Sequence, residues 1–237
     1  MTATARRWPA GRELFDDRDA DPATALASLR DIARANRFLG GTGAALSRLA
    51  EVFRSTPRGT MLTLLDVGTG GGDIPRAAGR RAAAAGLRLR VVGLERHAAA
   101  ARAAARGGPL DAVRADAAAL PFGARSVDLV LCSQLLHHYH GGAVTALVAE
   151  MDRVARRAVV IADLLPSPLA AAGVWLASFP LRFHPVSRRD GVMSVRRGFT
   201  PEALRRACAA AGVAAEVRTH PGFRVTAAWR PAGRPRA

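Results

Sequence analysis

The chain has 237 residues, 49% of them hydrophobic, which suits one domain with additions or two small ones. Its formal net charge of +16 would ordinarily mark a nucleic-acid ligand. However, all 35 basic residues are arginine and alanine fills most small positions, a pattern of coding bias, so no specific nucleic-acid partner is expected. Cys132 and Cys208 offer no disulfide framework and fit a reducing cytoplasm. No signal peptide is visible, and the longest apolar stretch, 169–181, is too short to span a bilayer.

Residues 1–22 are charged and contain proline, and are expected to form a flexible arm. From Pro22 onward, Leu26, Leu29, Ile32, Ala33 and Phe38 recur at helical spacing until Gly40-Gly41-Thr42-Gly43. A second helix carries Leu46, Leu49, Val52 and Phe53 as far as Pro57. Residues 23–57 are therefore read as an N-terminal helical cap, and 58–237 as the core. Strands are expected at 62–67, 89–94, 111–114, 127–132 and 158–162, separated by helical patterns at 73–85, from beyond Glu95 to about Arg106, and at 142–154. Such alternation calls for a doubly wound, mostly parallel sheet. The segment 164–198 breaks the alternation and is expected to be an insertion covering the substrate. Thr200-Pro201-Glu202 opens a last helix with an N-cap, a proline and an early acid. The runs 213–218 and 224–229 read as a closing hairpin, for seven strands in all.

The chemistry centres on Leu62-Thr63-Leu64-Leu65-Asp66-Val67-Gly68-Thr69-Gly70-Gly71-Gly72-Asp73. A buried-type strand ends in a glycine turn that can adopt positive φ, and a helix begins at once, giving a nucleotide-type binding corner. The dinucleotide spacing fails because Asp73 stands where the third glycine belongs, and the absence of lysine excludes a P-loop. The run D-V-G-T-G-G-G-D resembles motif I of the class I S-adenosylmethionine-dependent methyltransferases. That resemblance implies a Rossmann-like fold, and acids after strands two and three. Glu95 ends strand two, where it would accept the ribose hydroxyls. Asp116, in Ala115-Asp116-Ala117, would take the adenine amine. The implied cofactor set is Asp66, Gly68, Thr69, Gly70, Gly72, Asp73, Glu95, Arg96, Asp116, Ala117 and Ser133. The implied cofactor is S-adenosylmethionine, leaving S-adenosylhomocysteine as product.

Methyl transfer from a sulfonium is an in-line displacement, so positioning supplies much of the catalysis. A hydroxyl acceptor must also lose a proton, and histidine is the natural base. Ser133-Gln134-Leu135-Leu136-His137-His138-Tyr139-His140 follows strand four at the carboxyl edge of the sheet, where ligands bind in such folds. His137 and His138 are the candidate bases, and the sequence does not choose between them. No metal is expected, because adjacent histidines lack a nearby carboxylate or thiol at ligand spacing. The acceptor side is expected to use Gln134, Asp163, Trp175, Phe179, Phe183 and His184, an aromatic set with polar groups that suits a flat substrate.

Residues 132–135 carry neither the Asn/Asp-Pro-Pro-aromatic run of nucleic-acid amino methylation nor the Pro-Cys pair of pyrimidine-carbon methylation. The layout is similar to the small-molecule branch that modifies quinones and polyketides, which implies O-methylation of an aromatic or polyketide-like acceptor. C-methylation of an electron-rich ring, an RNA methyltransferase and a non-catalytic cofactor-binding subunit are the alternatives. The apolar 169–181 stretch is a possible homodimer face.

Overall fold

The computed structural model describes residues 11–17 and 20–232. Seven strands form one sheet: β1 (Met61–Val67), β2 (Arg88–Glu95), β3 (Asp111–Arg114), β4 (Val127–Ser133), β5 (Ala155–Leu164), β6 (Glu216–His220) and β7 (Arg224–Trp229). Their order is β3-β2-β1-β4-β5-β7-β6. Strands β1 to β5 pair in parallel, and β7 runs antiparallel to both β5 and β6. This is the mostly parallel, doubly wound sheet of a Rossmann-like methyltransferase fold, closed by one hairpin.

Residues on the central strands alternate between two cores, as the period of two demands. Leu62, Leu64, Leu129, Leu131 and Val160 face one side, against Ala45, Leu49 and Phe53 of α2 (Gly41–Arg54) and Ile74, Ala78 and Ala82 of α3 (Asp73–Ala84). Leu65, Val67, Val130, Cys132, Val159 and Ile161 face the other. There they meet Val144, Leu147, Val148 and Met151 of α5 (Gly142–Val154) and Leu204 and Cys208 of α8 (Pro201–Ala210). The short α4 (Ala98–Arg106) covers β2 and β3 through Ala104.

Two helical expectations change. Only α1 (Pro22–Phe38) lies over the carboxyl edge of the sheet, where Leu29 approaches Gly70 and Gly71. Helix α2 is not a cap: its apolar stripe is fully buried against the sheet, because Ala45, Leu49 and Phe53 repeat every four residues. The turn between them is tight. Gly40 has φ of +87°, and a Cβ there would meet the Pro221 carbonyl at 2.7 Å. The 164–198 insertion forms two helices, α6 (Pro168–Ala177) and α7 (Pro185–Arg197), packed on each other and on the end of β5.

Of the segment expected as a flexible arm, 1–10 and 18–19 lie outside the described residues. Residues 11–17 and 20–22 are docked. Leu14 is buried with Ala20 and Ala25 against Val186, and residues 14–16 form a single 3-10 turn. The reason is charge placement. Arg197 donates to both Glu13 and Asp16, Ser194 donates to Glu13, and Asp190 accepts from the Leu14 amide. The acids of a solvated-looking stretch are the counter-charges of α7. Among the described residues no helix is long and apolar enough to cross a membrane.

Candidate active site

One cavity runs along the carboxyl edge of the sheet, from the β1 loop under α1 to the β4 and β5 ends under α7. At the β1 end, Gly68, Gly70 and Gly72 all have positive φ (+75°, +52° and +74°), so the loop turns tightly before α3 starts. Gly68 and Thr69 amides bond back to the Leu94 carbonyl, fixing the loop to β2. The Gly70 amide donates to Glu95 Oε2 (3.0 Å) and the His97 amide to Oε1 (2.9 Å), so Glu95 sits at the loop with its orientation set.

Asp66 faces the same space. Its Oδ1 is buried without a hydrogen-bond partner among the described residues, as are Thr69 Oγ1 and Ser133 Oγ. Burial, with the Asp73 and Glu95 charges beside it, pushes the Asp66 carboxyl up to about 7. Asp73 accepts from Asn36 Nδ2 (3.0 Å), and Asn36 in turn accepts from Gln134, whose φ of +53° turns the chain away from β4. Arg96 lines the cavity and donates to the Phe15 carbonyl (2.7 Å), tying the N-terminal turn to β2. Asp116 stands beside the cavity, with Ala115 and Ala117 lining it, and accepts from the Ala118 amide.

The two histidines, which sequence could not separate, have different surroundings. His137 is buried on a 3-10 turn (136–138), and its Nδ1 meets Asp163 Oδ1 at 2.7 Å. Asp163 also accepts from the His137 and Leu164 amides, so the carboxylate is held on three sides. Burial disfavours the imidazolium, but the Asp163 charge and hydrogen bond outweigh it and hold His137 above the ordinary histidine value. Asp163, despite its own burial, is held below the usual carboxylate range by His137. His137 Nε2 is buried and unbonded among the described residues, and the residue lines the cavity. His138 bonds Asp16 through Nδ1 (2.8 Å) and stacks on His137 with ring centres 4.4 Å apart.

Glu13, His137 and His138 bring three ligand-type atoms within 4.8 Å of one another. The carboxylate missing from the local sequence thus arrives from the N-terminal turn. The Glu13 oxygens also accept from Arg197 (3.0 Å) and Ser194 (2.7 Å), which ties the cluster to α7.

The expected aromatic set divides. Phe183 is buried and lines the cavity together with Val174. Trp175 and Phe179 do not line it. They are half-exposed on the outer face, stacked edge-on at 4.9 Å, with Arg188 over Phe179 at 4.0 Å. For Trp175 the cause is the composition of α6, which buries its small residues, Ala170 and Ala171, and so turns Leu169, Trp175 and Leu176 outward. His184 is also outside, capping α7 through Nδ1 while its amide donates to Asp31. Sequence reasoning missed Glu13, Asn36, Asp31, Asp190 and Arg224, all of which line the cavity. None lies within a recognisable motif, and each reaches the site only through long-range packing.

A family profile described as "Methyltransferase domain" matches residues 65–162, from β1 through β5. No curated protein matches the sequence. Among solved structures, a methyltransferase from Aquifex aeolicus, described as dependent on S-adenosylmethionine, superposes with a TM-score of 0.61 at 14% identity, covering 90% of this chain and 99% of its own. Human N-acetylserotonin methyltransferase, in complex with S-adenosylmethionine, gives 0.64 at 11% identity over 94% of this chain and 60% of its own. Magnesium protoporphyrin IX methyltransferase of Synechocystis, with bound S-adenosylhomocysteine, gives 0.53 at 17% identity over 81% and 84%. At these identities the structural likeness is one of fold. The profile match, which spans the glycine loop, Glu95 and Asp116, shows a methyltransferase domain over residues 65–162.

Proposed function

We propose that this enzyme methylates an oxygen of a small aromatic or polyketide-like acceptor, with His137 as the general base and Asp163 as its positioning partner. The carrying observation is that His137 lines the same cavity as the glycine loop, with Nε2 unbonded among the described residues and Nδ1 committed to Asp163.

The residues fit the cofactor. Asp66, Asp73 and Glu95 line its end of the cavity, and acids suit a ligand bearing an ammonium and a sulfonium. The unbonded Asp66 Oδ1 and Ser133 Oγ are acceptors for that ammonium. Glu95, already oriented by two amides, offers its remaining lone pairs to the ribose hydroxyls. Asp116 and Ala117 are assigned to the adenine edge. When bound, S-adenosylmethionine supplies an electrophilic methyl group. The chain's own residues would hold the acceptor oxygen toward that methyl, and His137 Nε2 would take the proton that the hydroxyl gives up on methylation. Asp163 keeps the neutral imidazole protonated at Nδ1, so the Nε2 lone pair faces the acceptor. Phe183 and Val174 give the acceptor an apolar wall, and α1, α7 and the docked N-terminal turn shield it from water.

The test is label transfer from radiolabelled S-adenosylmethionine to a panel of phenols and hydroxyquinones. The wild type should label oxygen, and His137→Ala should lose about 10² or more in turnover while retaining cofactor affinity. Full turnover in His137→Ala, or label found on ring carbon, would remove the base assignment.

A further inference from the structure

Arg224 opens β7, directly across from Leu164, at the carboxyl end of β5. It is 3% exposed and lines the cavity two strands beyond the histidine turn. Its Nε donates to the Leu39 carbonyl (3.1 Å), which fixes the guanidinium plane at the junction of α1 and the β6–β7 hairpin. Among the described residues its Nη1 has no hydrogen-bond partner, and the guanidinium has no carboxylate at ion-pair distance. The acid acting on it, Asp163, is committed to His137 and two amides. Every other arginine described as deeply buried here is matched: Arg48, for instance, pairs with Glu51 and Glu216.

A buried, oriented guanidinium without a counter-charge is costly, and it is ordinarily kept where an anion completes it. Its fork matches a carboxylate or another planar oxyanion. Two sources of carboxylate could reach this cavity, the methionine end of the cofactor and the acceptor. The cofactor loop follows β1, whereas Arg224 stands beyond β4 and β5, on the side of the acceptor wall. We propose that Arg224 binds an acidic oxygen of the acceptor, so that the substrate class is a hydroxy-aryl or enolic acid rather than a neutral phenol. The inference rests on the methyltransferase reading and narrows it. Burial pulls the guanidinium down to about 10, with Asp163 opposing, which leaves it charged at neutral pH.

The test compares matched acids and amides, with S-adenosylhomocysteine present: benzoate and benzamide, salicylate and salicylamide, 4-hydroxybenzoate and 4-hydroxybenzamide. In the wild type at least one acid should bind tenfold or more tightly than its amide by calorimetry. Arg224→Gln should abolish that preference, and Arg224→Lys should keep part of it. Affinity for S-adenosylhomocysteine should stay within about twofold in both variants, which also certifies folding. Equal binding of every acid and its amide by the wild type, or binding of none, overturns the inference even if neither variant folds. So does a preference that survives in Arg224→Gln, or a loss of S-adenosylhomocysteine affinity in place of acid affinity, which would assign Arg224 to the cofactor. In each of these cases except the last, intact cofactor affinity leaves the methyltransferase reading standing.

Discussion

His137 and Asp163 form a buried charged pair whose effects on stability and on activity run in opposite directions with pH. The His137 value is raised above its usual 6.5, so the pair's contribution to stability is fully present below pH 6.5 and is lost as pH rises through the folded value. A general base works only when neutral, so turnover should climb over that same window. Asp163→Asn should shift the midpoint of the pH–rate curve downward and lower turnover, and a midpoint that stays put would separate the pair from catalysis. Asp66 titrates in the same region, and its effect on stability has the same sign. Its carboxyl rises from 3.8 to about 7 in the folded chain, so the folded state holds the extra proton and stability falls as pH rises between those values. A cation bound beside Asp66 favours the carboxylate. Affinity for S-adenosylhomocysteine should therefore rise from pH 5 to 7 with proton release, seen as a binding enthalpy that depends on the buffer. Asp66→Asn should flatten that dependence. The histidine cluster was visible in sequence because it follows a strand end. Which acid partners each histidine was not, since that depends on Asp163 arriving from β5 and Asp16 from the N-terminal turn.

The central strands were legible because buried parallel strands are short apolar runs between glycine, proline and helical patterns, and β1 to β5 fall within a few residues of their expected places. The glycine loop was legible for the same local reason. The cap was not. Glu13 and Asp16 read as solvated charge because their partner, Arg197, lies more than 180 residues away. Trp175 and Phe179 read as pocket aromatics because an almost wholly apolar α6 gives no periodicity to say which face is buried. The docked N-terminal turn has a testable consequence. Leu14 is almost completely enclosed, and truncating a buried leucine costs about 2–5 kcal/mol. Leu14→Ala should release the turn, making residues near 11–20 a preferred cleavage site in limited proteolysis. Affinity for S-adenosylhomocysteine should change little, since the glycine loop is bonded to β2 rather than to the turn. Unaltered proteolysis would mean that the Arg197 and Asp190 contacts suffice to hold it.

Across the molecule, a strongly basic protein encloses an acidic chamber. The net charge is +16, yet Glu13, Asp31, Asp66, Asp73, Glu95 and Asp190 line the cavity against Arg96 and Arg224. Much of the arginine is matched locally on separate faces, as in Arg90 with Asp111, Arg125 with Asp152 and Arg205 with Glu202. Any RNA binding should accordingly be indifferent to sequence and fall steeply as salt rises, checked by titration of unrelated RNAs at two salt concentrations. A tight complex with one RNA at physiological salt, accompanied by label transfer to it, would displace the small-molecule reading. The acidic chamber makes the cofactor site the part of the account on which the rest depends. Calorimetric titration with S-adenosylhomocysteine should give saturable one-to-one binding to the wild type. Gly70→Val should give none, because a β-branched residue cannot easily adopt the φ of +52° found there. Glu95→Ala should weaken binding by about 1.5–3 kcal/mol, the range for a hydrogen bond to a charged group. Unchanged affinity in both variants would contradict the account.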